Sequence, residues 1–137
     1  MAAGADTVAR GYARALVYLG TATVVATLVL DPRCLDAPLV GLAIAASLLI
    51  LRAAPVRLSK FSYLTQTGVA ALAAAVTAAP STAVLGLFAG VILTDWGVLR
   101  KTGWAALVNA GREVIAFAVG FGFYALVLES TGLTSIR

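Results

Sequence analysis

The sequence has no histidine and only one cysteine, Cys34. Without imidazole, the chain has no histidine ligand for haem or zinc and no histidine-based catalytic triad. One cysteine cannot close a disulfide within the chain, and no CxxC pair is present. We therefore predict no bound metal and no cofactor, and we interpret Cys34 as a small buried or interfacial residue.

Familiar catalytic motifs are also missing. The sequence contains no GxSxG, no HExxH, no phosphate-binding P-loop and no paired aspartates of the kind used in lipid-phosphate transfer. Glycine-rich pieces such as "GFG" at 120–122 lie inside an apolar run, where they cannot cradle a phosphate. We predict that the protein is not an enzyme and has no catalytic residues.

Charged residues are scarce, at 12% of 137 residues, whereas 61% are hydrophobic. A soluble domain of this length cannot bury so much apolar surface, because small domains keep a large part of their surface in water. The formal charge of +4 does not indicate a nucleic-acid partner, since the ten basic residues are scattered between apolar runs. The composition predicts an integral membrane protein with lipids as its surroundings.

Five apolar runs follow one another along the chain. Each is about 16–25 residues long, close to the roughly 20 residues needed to cross a ~30 Å hydrocarbon layer, and none alternates with period two. Proline 80 is expected in a tight turn between the third and fourth runs. The pattern predicts an all-α, polytopic transmembrane bundle forming a single membrane domain over 1–137, with helices near 15–30, 37–54, 61–79, 83–99 and 104–128.

Seven of the ten basic residues fall on one side of this five-helix topology, whereas Arg33 and Arg137 fall on the other. The seven precede the first helix, separate the second from the third and separate the fourth from the fifth: Arg10, Arg14, Arg52, Arg57, Lys60, Arg100 and Lys101. Because positive residues are retained on the cytoplasmic side, this distribution predicts a cytoplasmic N-terminus and a periplasmic C-terminus in a bacterial inner membrane.

Three polar residues stand near the head of the last apolar run: Asn109, Arg112 and Glu113. Their spacing places them on one face of a helix, and Arg112 would lie about 16 Å beyond Lys101, well inside the bilayer. Asp95, on the preceding helix, is at a comparable depth. Polar groups in a membrane find partners, so we predict an intramembrane polar cluster of Asp95, Asn109, Arg112, Glu113 and Gln66.

This cluster has two interpretations. As a structural device it would hold helices three, four and five together, and replacing Arg112 with leucine would destabilise the bundle by leaving acidic partners unpaired. As a functional device it would be a proton or ion relay, or a ligand pocket. We favour the structural interpretation, because no further acidic residue continues a path outward.

Small residues recur one helical turn apart in the last two runs. "GLFAG" contains Gly86 and Gly90, and Ala116 and Gly120 repeat the spacing in the fifth run. This spacing allows two helix backbones to approach closely in a membrane. We predict helix packing at these four residues, either within the chain or against another subunit.

The stretch "RLSKFSYLTQTGVAAL…LTDWGVLRKTGWAALVNAGREVIAF", at 57–117, resembles the membrane-embedded N-terminal regions of some bacterial signalling proteins. The likeness lies in a basic loop after the fourth helix, followed by the patch at Asn109 to Arg112. It implies a sensing or anchoring region that precedes a cyclic-dinucleotide or HD-type phosphohydrolase domain. The sequence departs from this pattern, since it includes no cytoplasmic output domain and its C-terminus is expected outside the cytoplasm. We therefore expect either a piece of such a module or a free-standing membrane subunit.

Small size, small-residue packing positions and the missing redox ligands favour one function over the others. We predict a non-enzymatic accessory or scaffolding subunit that packs against other membrane protein subunits in a larger assembly, respiratory or photosynthetic for example. The alternatives are a sensing or anchoring module of a signalling protein, and a small transporter or proton relay.

Overall fold

The computed structural model describes residues 2–54, 56–57, 63–64 and 67–131. Over these residues the chain is an all-α bundle of five helices, as the sequence predicts. A short 3₁₀ turn, Pro32–Leu35, precedes the second helix, and a π-helical segment, Leu93–Val98, continues the fourth. The helices are α1 (Ala2–Leu30), α2 (Pro38–Ala53), α3 (Thr67–Thr77), α4 (Pro80–Ile92) and α5 (Gly103–Thr131).

Three segments of the described chain are long and apolar enough to cross a membrane. They are Asp6–Leu30, Pro80–Val98 and Gly103–Thr131. Helices α2 and α3 are apolar but shorter than 18 residues. Length and composition therefore identify the chain as a helical membrane protein.

The first helix begins well before its predicted start at residue 15. Helix α1 starts at Ala2, so Arg10 and Arg14 lie inside it rather than ahead of it. The Arg10 guanidinium donates a hydrogen bond to the carbonyl of Asp6, one turn back, at 3.1 Å. Hydropathy locates where a helix becomes apolar, whereas its backbone continues through the alanine-rich residues before that point.

Prolines begin helices in this chain. Pro80 was expected in a turn, but it occupies the first turn of α4, after Ala79 in extended conformation. Pro38 begins α2 in the same way, and Pro32 begins the 3₁₀ turn. A proline fits the first helical turn because the N–H it lacks would have no partner within the helix there. Only Ala78 and Ala79 connect α3 to α4.

The third helix is shorter than predicted. The sequence predicts a helix over 61–79, but Tyr63–Leu64 is extended and pairs antiparallel with Val56–Arg57. Helix α3 begins at Thr67 and ends at Thr77. The start of the predicted run, "FSYLT", is rich in aromatic and β-branched residues, which favour extended backbone. Apolar character alone did not distinguish this segment from a helix.

Helix α4 lies at the centre of the bundle. It packs against α1, α2, α3 and α5, while α1 packs mainly on α5. Over half of the apolar window of α4 is buried inside the protein, against 11% for those of α1 and α5. The largest fully buried apolar side chains come from three helices: Leu48 on α2, Val84, Leu87 and Val91 on α4, and Val114 on α5. Val24 on α1 and Ala70 and Ala74 on α3 also belong to the core. The peripheral helices therefore present most of their apolar surface outward.

Glycines permit the closest helix contacts. Gly86 lies against the Gly41 carbonyl and Ile44 of α2, and a Cβ atom added to it would sit 3.0 Å from either. Gly90 lies equally close to Ala45. Helices α1 and α5 cross where Gly20 meets Gly111, with no room for a side chain on either. Close backbone approach of this kind is the main source of helix association in a bilayer.

Candidate functional site

Asp95 lies at the centre of a buried charge cluster. It belongs to the π-helical segment, where the Leu99 amide donates to the Thr94 carbonyl five residues back, at 2.8 Å. A π turn holds one more residue than an α turn, so it changes the direction of the side chains that follow, and such turns recur at functional sites. Here Asp95 is fully buried between α2 and α5.

Four donor contacts surround the Asp95 carboxylate. Arg52 at the end of α2 binds it through two nitrogens, with Nε 2.8 Å from Oδ1 and Nη2 3.0 Å from Oδ2. Lys101 Nζ lies 3.1 Å from Oδ1. Asn109 Nδ2 donates to Oδ2 at 2.5 Å. The paired, charge-assisted geometry of Arg52 is the strongest arrangement available to a carboxylate, and both oxygens are satisfied.

Glu113 extends the cluster along α5. Its Oε1 lies 3.5 Å from Nη1 of Arg52 and 2.9 Å from Nη2 of Arg112. Arg52, whose side chain is only 5% exposed, therefore joins two carboxylates that do not touch each other. The Arg112 side chain is 56% exposed and contacts Glu113 at the edge of the cluster. Three basic and two acidic side chains give these five groups a formal charge of +1.

The structure brings together part of the predicted polar cluster. Asp95 and Asn109 are in direct contact, and Glu113 joins them through Arg52. Arg112 lies at the edge, where it pairs with Glu113 rather than with Asp95. Gln66 lies outside the residues that the structure describes. Among the described residues, the cluster thus ties α5 to α2 and to the π-helical segment that continues α4.

Sequence reasoning missed Arg52 and Lys101 as members of this cluster. Both were interpreted as basic residues that mark the cytoplasmic boundary. A signal for Arg52 exists in "SLLILRAAP", where the arginine follows an apolar run directly and lies inside its last turn. Asp95 lies at a similar depth, and a carboxylate inside a membrane requires a cationic partner. Arg52 is the basic residue that could reach it from within an apolar helix.

An apolar groove of about 330 Å³ lies between α3 and α5, next to Glu113. The α3 wall includes Gly68, Ala71 and Ala75. The α5 wall is formed by Glu113, Ala116, Phe117, Gly120, Phe121 and Tyr124. Ala116 and Gly120, predicted as packing residues, therefore face this space, and a Cβ atom on Gly120 would meet nothing within 4 Å among the described residues.

Aromatic rings line the groove along α5. The rings of Phe117 and Phe121 stack with centroids 5.9 Å apart, and that of Tyr124 follows at 6.4 Å from Phe121. Ala75, Val76, Phe121 and Tyr124 also line a second cavity, of about 390 Å³, that reaches Arg33 and Pro80. The two cavities therefore adjoin each other between α3 and α5.

An ion pair lies in that loop. Arg33 binds the Asp31 carboxylate through Nε at 2.7 Å and Nη2 at 3.2 Å. Asp31 also accepts weaker hydrogen bonds from the Arg33 amide at 3.3 Å and the Ser81 amide at 3.4 Å, which link the loop to the start of α4. The hydrogen bond from the Arg33 side chain, more than any other contact, lowers the pKa of Asp31 to about 2.

These features define a helical membrane protein with a buried ion-pair cluster beside an apolar groove. Within the described part of the chain, no group of three or more metal-ligating side chains lies together. Comparison with protein-family models, curated proteins and solved structures found no match. The resemblance to the membrane regions of bacterial signalling proteins stays a prediction.

Proposed function

We propose that this protein is a non-enzymatic accessory or scaffolding subunit of a larger membrane assembly, such as a respiratory or photosynthetic complex. The observation that carries the proposal is the bare outer half of α5. Beyond Phe117, no described residue of this helix is buried by the rest of the chain. The first half of α5 packs against the other helices of the bundle. The second half is accessible for packing against a helix of another subunit.

One face of this half-helix is suited to close contact with another helix. Ile115, Val119, Gly122 and Leu126 follow one another at intervals of three or four residues, which places them in one stripe. We name these four residues the outer stripe. Within the described structure, a Cβ atom on Gly122 would meet nothing within 4 Å. Glycine costs about 1 kcal/mol in a helix relative to alanine, and in membranes it permits close backbone approach.

The charge cluster supports a structural role. The Asp95 carboxylate is held by Arg52, Lys101 and Asn109, which use both of its oxygens. A proton carrier must exchange its partners, whereas a fully paired carboxylate fixes the positions of the elements that hold it. This arrangement favours a rigid scaffold over a proton relay.

For the orientation we propose a cytoplasmic N-terminus and a periplasmic C-terminus in a bacterial inner membrane. Arg100 and Lys101 would then lie on the cytoplasmic side. Trp96 and Trp104, on either side of this basic pair, have exposed side chains, as expected for aromatic residues at a membrane interface.

Site-directed cross-linking tests the proposed interface. Cys34 is first replaced by serine, and Val119 in the outer stripe is then changed to cysteine for cross-linking in native membranes. We expect a discrete cross-linked product with a partner subunit, and its loss when Gly122→Leu is added. Gly120→Leu is the matched control, because it adds the same side chain to the same helix on the opposite face.

Native mass spectrometry of the mildly solubilised protein provides the second measurement. A wild-type protein that is recovered only as a monomer, together with an uncross-linked Val119→Cys variant, would contradict the proposal. Cross-linking that is insensitive to Gly122→Leu would also contradict it.

A further inference from the structure

We infer that the groove between α3 and α5 binds an elongated, neutral lipophilic alcohol, whose hydroxyl group donates a hydrogen bond to Glu113. This inference does not depend on the proposed function, because the groove lies on the face of α5 opposite to the outer stripe. Three features of the described residues support it: the shape of the groove, the small residues that keep it open, and the charge at its inner end.

The shape fits a chain-like molecule. From Glu113 to Tyr124 the groove follows α5 for eleven residues, about 16 Å of helix. Its volume of about 330 Å³ lies at the lower end of the range for small-molecule sites, which combine an apolar lining with a few polar groups. The stacked rings of Phe117 and Phe121 form one apolar wall. An apolar chain lying along the helix would cover this wall.

Small residues on both walls keep the groove open. Gly68 on α3 and Gly120 on α5 line it, and a Cβ atom on either would meet nothing within 4 Å in the described structure. Larger apolar side chains there would fill the space and join the two helices. An empty apolar space loses the dispersion contacts of its lining, so an apolar occupant is favoured.

Glu113 determines which polar group the bound molecule can carry at the inner end of the groove. The shortest contacts of Glu113 with Arg52 and with Arg112 both involve Oε1. Among the described residues, no side chain donates a hydrogen bond to Oε2. A bound molecule that donates a hydrogen bond would satisfy this oxygen.

The charge of the occupant follows from the cluster. The five charged groups already carry a formal charge of +1, so an added ammonium group would increase an unbalanced positive charge. The net charge would attract an anion, but an anionic head group at the Glu113 carboxylate would meet a like charge and has no proton to donate to it. A hydroxyl group donates a hydrogen bond without adding charge, and therefore fits best.

The depth of Glu113 argues against a phospholipid head group. Glu113 follows the interfacial Trp104 by nine residues, about 14 Å along the helix, which is near the middle of a ~30 Å hydrocarbon layer. Phospholipid head groups remain at the membrane surface. A single hydroxyl on an apolar chain is small enough to reach this depth when a hydrogen-bond acceptor is present.

Photolabelling of the full-length protein in lipid nanodiscs tests the inference. The probes are hexadecanol with a diazirine in the chain and the corresponding diazirine hexadecane, and labelled peptides are mapped by mass spectrometry. We expect hexadecanol to label the α3 and α5 walls about tenfold more than hexadecane does, as one hydrogen bond to a charged acceptor implies. Excess unlabelled hexadecanol should remove this labelling.

Two glycine variants form a matched pair that leaves the charge cluster intact. Gly120→Leu fills the groove and should abolish labelling by both probes. Gly122→Leu adds the same side chain on the opposite face and should leave labelling unchanged. Neither site is crowded, so the bundle should fold in both variants.

Glu113 variants test the head group. Glu113→Leu should reduce hexadecanol labelling to the level of hexadecane, while Glu113→Gln, which keeps an acceptor oxygen, should retain part of the preference. Equal labelling of the wild-type protein by the two probes would overturn the assignment of the hydroxyl to Glu113. Labelling that persists in Gly120→Leu would overturn the groove as the site.

Discussion

The most consequential residue of this protein is one that looks like a boundary marker in the sequence. Arg52 is 5% exposed and holds Asp95 with two nitrogens and Glu113 with a third. Removing two charges from water costs several kcal/mol each, so such a pair persists only with good geometry and satisfied neighbours. Asp95 and Arg52 meet both conditions. The loss of Asp95 would leave buried Arg52 with only the longer contact to Glu113, and the loss of Arg52 would leave buried Asp95 with Lys101 as its only cation among the described residues.

We predict that Asp95→Leu and Arg52→Leu each destabilise the folded protein by about 3–5 kcal/mol, the usual cost of breaking a buried pair. The double variant should be less destabilised than the sum of the two, because neither member of the buried pair is then left without the other. Thermal unfolding in detergent micelles measures these differences. Asp36→Asn, at an exposed carboxylate, is the control.

Arg112, on α5, provides a contrast to Arg52. Its side chain is 56% exposed, so Arg112→Leu should have a much smaller effect than Arg52→Leu. The sequence alone assigned the main stabilising role to Arg112. An Arg112 variant as unstable as the Arg52 variant would show that the buried pair does not dominate.

Asp31 gives a prediction about pH. Arg33 lowers the pKa of Asp31 to about 2 in the folded protein, below the value of about 3.9 for an unperturbed aspartate. A lowered pKa means that the ionised form stabilises the fold. This contribution should be complete above about pH 4 and should be lost as the pH falls towards 2.

The stability difference between wild type and Asp31→Asn, measured across pH 2–6, tests this sign. We expect a constant difference above pH 4 that diminishes at lower pH. Arg33→Ala should return the pKa of Asp31 towards its usual range, which a carboxyl-carbon NMR titration can follow. A difference that grows as the pH falls would contradict the prediction.

At the scale of the helices, the bundle depends on a few close crossings. The crossing of α1 and α5 at Gly20 and Gly111 leaves no space for a side chain. We predict that Gly111→Ala destabilises the protein by about 1–3 kcal/mol, the usual range for overpacking. Gly122→Ala is the control, because the same added methyl group meets open space on the same helix.

Thermal unfolding of these two variants distinguishes packing from helix propensity. Alanine favours a helix at both positions, so Gly122→Ala should be neutral or slightly stabilising. Equal shifts of the unfolding temperature in the two variants would show that close packing at the crossing of α1 and α5 does not limit the side chain at Gly111.

The helices could be predicted from the sequence, but several of their boundaries and two of the six described cluster residues, Arg52 and Lys101, could not. Apolar runs locate segments that avoid water, and this sufficed for all five helices of the described chain. Whether Pro80 ends one helix or begins the next depends on backbone conformation, which hydropathy does not report.

Side-chain direction was the other missing information. The side chain of an arginine at the end of an apolar helix can extend to the membrane surface or turn inward. The sequence alone does not distinguish these two conformations. Arg52 turns inward because the π-helical segment brings Asp95 to it. Ala116 and Gly120 illustrate the same point, since their spacing indicates close packing but their face of α5 borders the groove.

At the scale of the whole molecule, the proposed orientation places the loop between α1 and α2 outside the cytoplasm. Cys34, the only cysteine of the sequence, lies in this loop and is partly exposed. We predict that a membrane-impermeant maleimide labels Cys34 in intact spheroplasts.

Thr102→Cys in a Cys34→Ala background is the complementary probe, because Thr102 is exposed in the short link before α5. This variant should react only after the membrane is opened. The reverse pattern of labelling would invert the topology, and labelling of both sites in intact spheroplasts would show that the intervening helices do not separate two compartments.

The distance between Arg52 and Asp95 along the chain has a consequence for biosynthesis. The two residues are 43 positions apart, so at ribosomal speeds of roughly 5–20 residues per second Arg52 emerges about 2–9 seconds before its partner. During that interval its guanidinium must stay with water or lipid phosphate at the membrane surface. Helix α2 can therefore reach its final depth only after α4 has been inserted, and Asn109 completes the site later still, 14 residues further along.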